Sequence, residues 1–363
     1  MSTRRNFLKS AGSLAGLVFC GCGLPFEAHA QKPAARLPVM VKGKRIKTID
    51  SHAHCFFQEA IDLMGEDAKN VPPPVKGVKE HFIVVEQRLK EMDAMAIDME
   101  VLSINPFWYG KDRDTAGQIV KVNNEKLAEL CASRPDRFAA FASLSLQFPD
   151  LAVQQLETAI RKQGLRGAAV GASVLGEDFA DPKFHPVWAK AEELGAVLFV
   201  HPQSTPELAK RFKGNGWLSN TIGNPLDTTI ALQHLIFEGT LDRFPGLKII
   251  AAHGGGYLGS YAARGDHACF VSPQNCNPNV TLKKKPSEYL NQLYFDAMVF
   301  TPEGLRHLVA QVGASQVVLG TDHPIPWEEH PVDHVFATTS LTDKQKVAIL
   351  GGNAARLFGM KEA

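Results

Sequence analysis

The stretch TIDSHAHC (48–55) is a short apolar run that ends in two histidines separated by one small residue. In a β-strand, side chains two positions apart point to the same face, so His52 and His54 are expected to be directed at one point. Neutral imidazoles are common metal ligands, and this arrangement suits a metal ion. Two imidazoles do not complete such a site, so the remaining ligands must come from elsewhere in the chain.

Apolar runs of the same kind alternate with helical patterns along the chain. Eight strands are predicted at 46–51, 99–105, 137–144, 164–170, 195–200, 247–252, 292–297 and 315–321. Helices are predicted between them at 83–96, 115–133, 150–163, 184–194, 226–239, 302–312 and 342–357. Strands that alternate with helices and are apolar on both faces indicate a parallel sheet covered by helices. We therefore expect an α/β fold, a (β/α)8 TIM barrel. An open doubly wound sheet is the alternative, but its glycine-rich fingerprint is missing after the first strand.

Three stretches rich in proline, glycine or asparagine interrupt the alternation, at about 56–82, 203–224 and 264–290. They are predicted to be long loop insertions on the C-terminal side of the strands. Loops at that end of a barrel shape the active site, so we expect these three to cover a substrate or to contact another subunit.

Three more strands run directly into a residue that binds metal or carries protons. AVLFV precedes His201, KIIAA precedes His253, and VVLGT precedes Asp322. Taken singly, His201 would more often be a hydrogen-bonded core residue, and Asp322 more often a helix cap. In a barrel, however, the C-terminal ends of the strands converge on one mouth. The presence of all these residues, together with His52 and His54, at equivalent places favours one shared site.

The motifs at these strand ends resemble those of the amidohydrolase superfamily. They are H-x-H after strand one, HP after strand five, AHGGG (252–256) after strand six and GTDHP (320–324) after strand eight. Within the superfamily, the chain is similar to the amidohydrolase-2 group, which includes aminocarboxymuconate-semialdehyde decarboxylase and the hydroxybenzoate decarboxylases. NPLDTTIALQHLIFEGTLDRFPGLKIIAAHGGG (224–256) and GGNAARLF (351–358) extend the resemblance over most of residues 46–360.

The resemblance implies one divalent metal ion held by His52, His54, His201 and Asp322. Three imidazoles and a carboxylate suit zinc, with manganese as the alternative. The resemblance also implies that His253 is the catalytic acid/base beside the metal rather than a ligand. Asp322 is a second candidate for moving a proton.

Three further residues are candidates for binding the substrate. Arg264 stands where related decarboxylases carry an arginine for the substrate carboxylate, commonly reaching a neighbouring subunit, and a homodimer is expected by resemblance. The alternative for Arg264 is a surface or interface salt bridge. Trp108 and Trp327 follow strands two and eight and are expected to flank a planar substrate, although loop packing would also explain them.

These residues predict a metal-dependent enzyme that decarboxylates an aromatic or enol carboxylic acid without oxidation. A hydrolase of an amide, ester or lactone bond would use the same ligands and is the alternative. A third hypothesis is a periplasmic protein that binds a metal or ligand without turning it over. The formal net charge of +1 argues against a nucleic-acid or anionic-membrane partner.

The N-terminus predicts export. MSTRRNFLKS precedes a short apolar stretch, and AHA ends at Ala30, which is the layout of a secretory signal. STRRNFLK closely resembles a bacterial twin-arginine signal. We therefore predict a signal over 1–30, a linker over 31–45, a barrel domain over 46–363 and a periplasmic mature protein. The stretch 11–26 makes a poor membrane span, and a lipoprotein at Cys20 or Cys22 fits the preceding residues badly. Cys269 and Cys276 are candidates for a disulfide.

Overall fold

Eight parallel strands form the framework of the protein, seen in a computed structural model that describes residues 37–71, 82, 84–203, 205–276 and 278–360. The predicted signal (1–30) lies outside the described residues. The strands, numbered β1 to β8 in chain order, are Ile49–His54, Met99–Ser103, Phe138–Ala140, Gly167–Val170, Val197–Val200, Lys248–Ala251, Leu293–Asp296 and Val317–Val318. Each of them falls within or overlaps a strand predicted from the sequence.

The strands follow one another in the order of a (β/α)8 barrel. β1, β2 and β3 form a three-stranded parallel sheet, and β4 to β8 form a five-stranded parallel sheet. Isolated parallel bridges join the two sheets at both edges: Asp50 with Leu319 and Ala53 with His323 at one edge, and Ala142 with Ala168 at the other. The predicted TIM barrel is thereby confirmed.

A long helix follows each of the first seven strands. These helices, α1 to α7, are Val85–Ala94, Arg113–Ser133, Pro149–Arg161, His185–Leu194, Asn224–Phe237, Leu258–Val271 and Pro302–Val312. The chain after β8 forms the shorter helices Pro331–Ala337, Asp343–Val347 and Asn353–Leu357, with a π-helical turn at Ala348–Gly352. Short helices also lie within the loops, at Gln58–Asp62, Gly65–Asn70, Pro182–Phe184, Pro206–Leu208, Ser219–Gly223, Thr240–Arg243, Pro273–Cys276, Pro286–Gln292 and Ala314–Gln316.

The prediction of a loop over 264–290 is wrong in its first part, because α6 continues to Val271. Its buried residues are Leu258, Gly259 and Ala262. Small side chains on a narrow buried stripe make a weak helical period, and the apolar residues Phe270 and Val271 are exposed. The hydrophobic pattern that reveals an amphipathic helix is therefore faint here.

The linker predicted over 31–45 is too long. Val39–Val41 and Lys44–Ile46 pair as an antiparallel hairpin, and Val39 and Val41 are buried. The packed domain therefore begins before residue 46, the boundary predicted from the sequence.

Apolar side chains fill the lower part of the barrel and leave its mouth polar. The inner faces of the strands contribute Phe141 and Phe199, whose rings stack 5.4 Å apart. Phe358, next to the last helix, packs against Phe141 with 5.6 Å between ring centroids. Because this packed floor closes the interior, the polar residues at the C-terminal ends of the strands have access from the mouth alone.

Two further observations concern the cysteines and the apolar character of the helices. The structure joins Cys269 and Cys276, at the end of α6, by a disulfide. Across the described ranges, we find no helix with both the length and the apolar character needed to cross a bilayer.

Candidate active site

The H-x-H pair lies at the C-terminal end of β1, inside the barrel mouth. The β1–β2 pairing shifts register between Asp50 and Ala53. His52 and His54 are 0% and 2% exposed, and their Nε2 atoms lie 3.2 Å apart. The two imidazoles therefore converge as the spacing predicted.

Asp322 faces both imidazoles from the end of β8. Its Oδ1 lies 2.8 Å from His54 Nε2 and 3.3 Å from His52 Nε2. The Asp322 backbone is left-handed, with φ of 62°, a conformation that aspartate tolerates better than most residues. Its amide donates to the His52 carbonyl at 2.8 Å, so backbone pairing with β1 fixes the carboxylate over the histidine pair.

His201 completes the cluster from the end of β5. Its ring centroid lies 4.6 Å from that of His54 and 5.1 Å from that of His52. The side chain is buried, and neither of its ring nitrogens has a protein partner. A buried polar atom without a partner is costly, so these nitrogens indicate a missing ligand.

The four residues fit a metal ion. His52, His54, His201 and Asp322 each offer one ligand atom, and these atoms all lie within 4.8 Å of one another. Three nitrogens and one carboxylate oxygen form a donor set that divalent zinc and its neighbours in the first transition row accept. The chain therefore provides a single divalent metal site at the barrel mouth.

Two polar partners orient the histidine pair. Asp296, at the end of β7, accepts a hydrogen bond from His52 Nδ1 at 2.7 Å, and Ser103 Oγ lies 2.8 Å from His54 Nδ1. Partners of this kind fix the ring so that Nε2 faces the ion. Asp296 lies within the strand predicted over 292–297, near its C-terminal end.

The electrostatics of the site favour binding of a cation. Burial alone would raise the pKa of Asp322, but the His52 charge and hydrogen bonds from the imidazoles hold that pKa well below its usual value. Burial lowers the pKa of His54, and it lowers the pKa of His201 well below the usual value. An ionised carboxylate and neutral imidazoles are the forms that bind metal. Burial would lower the pKa of His52 too, but Asp322 and Asp296 raise it to about 10, so a metal ion that binds here must displace the proton on this imidazole.

His253 lies beside the four ligands rather than among them. Its Nε2 is 3.7 Å from Asp322 Oδ2, and its Nδ1 has no protein partner. Asp296 accepts hydrogen bonds from the backbone amides of His253 and Gly254 at 2.9 and 2.8 Å. The same carboxylate that orients a metal ligand thus also holds the segment carrying His253.

A cavity of ≈ 240 Å³ opens above the cluster. Besides three of the ligands, it is lined by Phe56, Val71, Phe82, Asn105, Phe107, Pro202, Gln203, Trp217, Asn220, Asn224, Ile325 and Trp327. Trp327 stacks on Trp217 with 5.7 Å between ring centroids and an interplanar angle of 17°. The structure therefore places Trp327 in the wall of the cavity.

Trp108 does not line this cavity, so its predicted contact with the substrate is corrected. The side chain is 1% exposed, and its Nε1–H donates to the Leu144 carbonyl at 2.8 Å. Burial stabilises a large indole ring most when its N–H also has a hydrogen-bond partner. Trp108 is buried and has such a partner in the core. Asn105 and Phe107, from the same loop, line the cavity instead.

Arg264 lies on α6, exposed to solvent, and is absent from the described residues that line the cavity. Exposed apolar side chains lie on the same helix, with Tyr261 60% and Phe270 84% exposed. Contact of Arg264 with a substrate would therefore require the cavity of a second subunit.

One supporting residue escaped the sequence reading. Arg88, on α1, is 2% exposed; its guanidinium donates to the His54 carbonyl and, at 2.6 Å, to Glu100 Oε2. The same guanidinium lies 3.2 Å from His323 Nδ1. Arg88 thus links the end of β1 to the end of β8. It lies three residues after Val85 and four before Met92, on the apolar face of α1, so this helical spacing is the signal that could have marked it as buried.

The geometry agrees with the comparison against protein families. The sequence model of the family described as Amidohydrolase matches residues 49–360, which include all five converging side chains. The chain belongs to this family.

Three proteins that are similar to this chain are decarboxylases by name. The 2-amino-3-carboxymuconate-6-semialdehyde decarboxylase of Dictyostelium discoideum is 32% identical over 277 residues, covering 75% of this chain and 76% of the relative. The gamma-resorcylate decarboxylase of Rhizobium sp. (strain MTP-10005) is 32% identical over 294 residues, covering 77% and 88%. A solved dihydroxybenzoic acid decarboxylase from Polaromonas sp. JS666, with bound manganese and the inhibitor 2-nitroresorcinol, has a TM-score of 0.74 at 25% identity, covering 86% of this chain and 97% of that one.

Proposed function

We propose that this protein is a metal-dependent carboxy-lyase that removes CO2, without oxidation, from an aromatic or enol carboxylic acid. The observation that carries the proposal is the position of His253, which faces Asp322 at 3.7 Å but stands outside the four-residue metal site. A carbon that loses CO2 must take up a proton, and a proton carrier beside the metal site can supply it. The decarboxylase names of the relatives support the same reaction.

The metal site would hold zinc, which three imidazoles and a carboxylate favour. Manganese is the competing ion, because the Polaromonas relative contains it. A bound divalent ion supplies positive charge to a substrate oxygen and acidifies water. His52, His54, His201 and Asp322 would hold it, with Asp296 and Ser103 orienting two of the rings.

The residues of this chain account for the proton transfer. When the bond between the ring carbon and the carboxylate breaks, CO2 leaves and the electron pair remains on the carbon. That carbon must then receive one proton, and His253 Nε2 is placed at the edge of the cluster to donate it. Asp322 Oδ2 faces the same nitrogen at 3.7 Å and would hold this proton donor beside the metal ligands. Trp327 and Trp217 offer aromatic faces to a planar substrate.

One assay separates this reaction from hydrolysis. Purified protein loaded with zinc or manganese is incubated with aromatic and enol carboxylic acids, and released CO2 is measured. Amides, esters and lactones are tested in parallel. Release of CO2 with appearance of the protonated product supports the carboxy-lyase. Hydrolysis of the second panel without CO2 from the first would reject it.

We further infer that the protein acts as a homodimer, in which Arg264 of one subunit approaches the cavity of the other and binds the substrate carboxylate. The support is the exposure of Arg264 beside exposed apolar side chains on α6. A guanidinium can grip a carboxylate through two parallel hydrogen bonds.

We also infer export to the periplasm by residues 1–30. The paired Arg4 and Arg5 support a twin-arginine signal, and the Cys269–Cys276 disulfide suits an oxidising compartment. Replacing Arg4 and Arg5 together by lysine should keep the precursor in the cytoplasmic fraction. Periplasmic recovery of that variant would overturn the inference.

A further inference from the structure

A second cavity adjoins the one above the metal ligands. It has a volume of ≈ 160 Å³ and is lined by Asn220, Thr221, Asn224, Pro225, His253, Met298, Phe300 and Trp327. Asn220, Asn224 and Trp327 also line the first cavity, so the two spaces share a wall. We call the second space the His253 lobe and the first the metal-side lobe.

Each lobe has room for about one aromatic ring. An apolar cavity of roughly 150 Å³ is large enough to bind benzene, and the lobes measure ≈ 160 and ≈ 240 Å³. A single-ring acid in the metal-side lobe would leave the His253 lobe without substrate.

The His253 lobe has the lining of a site for an uncharged group. Met298, Phe300 and Trp327 present apolar surface to it, and Asn220 and Asn224 are neutral. Among the described residues that line this lobe, His253 is the sole titratable one. A charged substituent would lose its hydration there without gaining an ionic partner.

The lobes meet where the reaction must occur. His253 lines one lobe and Asp322 lines the other, and their facing atoms are 3.7 Å apart. A carbon that receives a proton from His253 while an oxygen of the substrate lies at the metal ligands must therefore sit at this junction. A ring in the metal-side lobe would direct a substituent next to that carbon into the His253 lobe.

We propose that the His253 lobe is a binding subsite for an apolar substituent, an alkyl chain or a phenyl ring, next to the reacting carbon of the aromatic acid. This inference rests on the proposed function. Met298 and Phe300, from the segment after β7, are its specificity-determining residues. Phe300 has a left-handed φ of 61°, which is costly for a bulky residue, and its ring lies 6.1 Å from that of Trp327.

Turnover of two matched acids tests the subsite. Salicylic acid and 6-phenylsalicylic acid differ by one phenyl ring beside the reacting carbon. In the wild type we expect the phenyl acid to have the higher kcat/KM. Met298→Trp, which fills the lobe, should lower the ratio of the two kcat/KM values at least about tenfold. Phe300→Ala, at a half-exposed position, should lower the same ratio without disturbing the core.

Ile325→Trp is the matched control, because Ile325 lines the metal-side lobe and is absent from the lining of the other. It should lower kcat/KM for both acids and leave their ratio within about threefold of the wild type. Equal ratios in the wild type, Met298→Trp and Phe300→Ala would overturn the subsite while leaving decarboxylation intact.

Equilibrium binding distinguishes failure of the subsite from failure of the proposed function. Calorimetry measures the affinities of phenol and 3-phenylphenol, the products of the two acids, without requiring turnover. If neither acid releases CO2, tighter binding of 3-phenylphenol that is lost in Met298→Trp still supports the subsite. Equal affinities for the two phenols, unchanged in Met298→Trp, would overturn it.

Discussion

At the level of single residues, the four residues of the metal site differ from His253, the proposed proton carrier, in what their side chains contact. The four ligand atoms of the metal site lie within 4.8 Å of one another, whereas His253 approaches one oxygen of Asp322 from outside. Those positions were predictable, because each residue directly follows an apolar run. Trp108 was misplaced, because an aromatic residue in a loop packs inward or lines a cavity with the same local sequence.

The distinction gives opposite expectations for two histidine variants. His253→Asn should retain the metal content of the wild type and lose turnover by about 10²-fold or more, since the proton carrier is gone but every ligand remains. His201→Ala should lose bound metal, because it removes one of the four side chains that would hold the ion. Metal per chain is measured by mass spectrometry after dialysis, and CO2 release gives the activity. Loss of metal from His253→Asn would contradict the assignment.

Arg88 provides a test of how the metal ligands are held. We expect Arg88→Gln to weaken zinc binding by about 10- to 100-fold, because it releases the His54 carbonyl, Glu100 and His323 together. Zinc affinity is measured by competition with a chelator. No decrease in affinity would contradict the positioning role.

Arg137→Gln is the matched control for Arg88→Gln. Arg137 is also largely buried; it pairs with Asp93 of α1 at 2.8 Å and donates to the Asp98 carbonyl at 3.0 Å. It precedes β3 and so lies at the opposite end of the barrel. Both variants should lower the unfolding temperature, since Arg88→Gln breaks a buried ion pair and Arg137→Gln a partly buried one, but zinc affinity should fall in Arg88→Gln alone. Equal losses of affinity would mean that the effect is general destabilisation.

At the level of elements, the segment after β6 shows why the AHGGG motif needs its glycines. His253 and the three glycines that follow all have positive φ, between 56° and 73°. A Cβ on Gly256 would lie 2.0 Å from the Pro225 carbonyl oxygen of α5. The turn therefore brings Gly256 against α5 at a distance that no residue with a Cβ permits.

Gly256→Ala should destabilise the protein by more than about 2 kcal/mol, because the left-handed backbone and the backbone clash both oppose a side chain. Gly259→Ala is the control: the nearest atom to its Cβ would be Leu308 Cδ1 at 3.8 Å. Alanine there should be neutral or stabilising by up to about 1 kcal/mol, since it favours the helix. Urea unfolding measures both. Equal midpoints for the two variants would refute the steric argument.

The elements differ in how much of them the sequence reveals. All eight strands were predicted, because parallel strands buried between helices are apolar runs bounded by turns. Their ends were less certain: β8 is confined to Val317–Val318, although the predicted strand spans 315–321. Helix α6 was not predicted at all, since Leu258 is followed on its buried stripe only by the small residues Gly259 and Ala262 and its last apolar residues face solvent.

At the level of the whole molecule, closure of the barrel is what creates the site. Its candidate ligands come from β1, from the residue after β5 and from the loop after β8, and His253 lies just after β6. A local pattern predicts each strand end, and the parallel order places them at one mouth. The residues that line the cavity are harder to predict from the sequence. Trp217, Met298 and Phe300 lie in loops whose paths depend on packing rather than on periodicity.

The exposed position of Arg264 predicts that two inactive variants can restore activity to each other. In a symmetric dimer, a subunit carrying His253→Asn still supplies Arg264 to its partner, and a subunit carrying Arg264→Ala still has His253. A mixed dimer of the two therefore contains one complete site. Unfolding and refolding an equal mixture should recover about a quarter of the wild-type activity, whereas each variant refolded alone stays inactive. Sedimentation measures the dimer directly. A dimer that regains no activity would show that Arg264 does not act across the subunit boundary, and full activity of Arg264→Ala alone would show that the substrate carboxylate is bound without it.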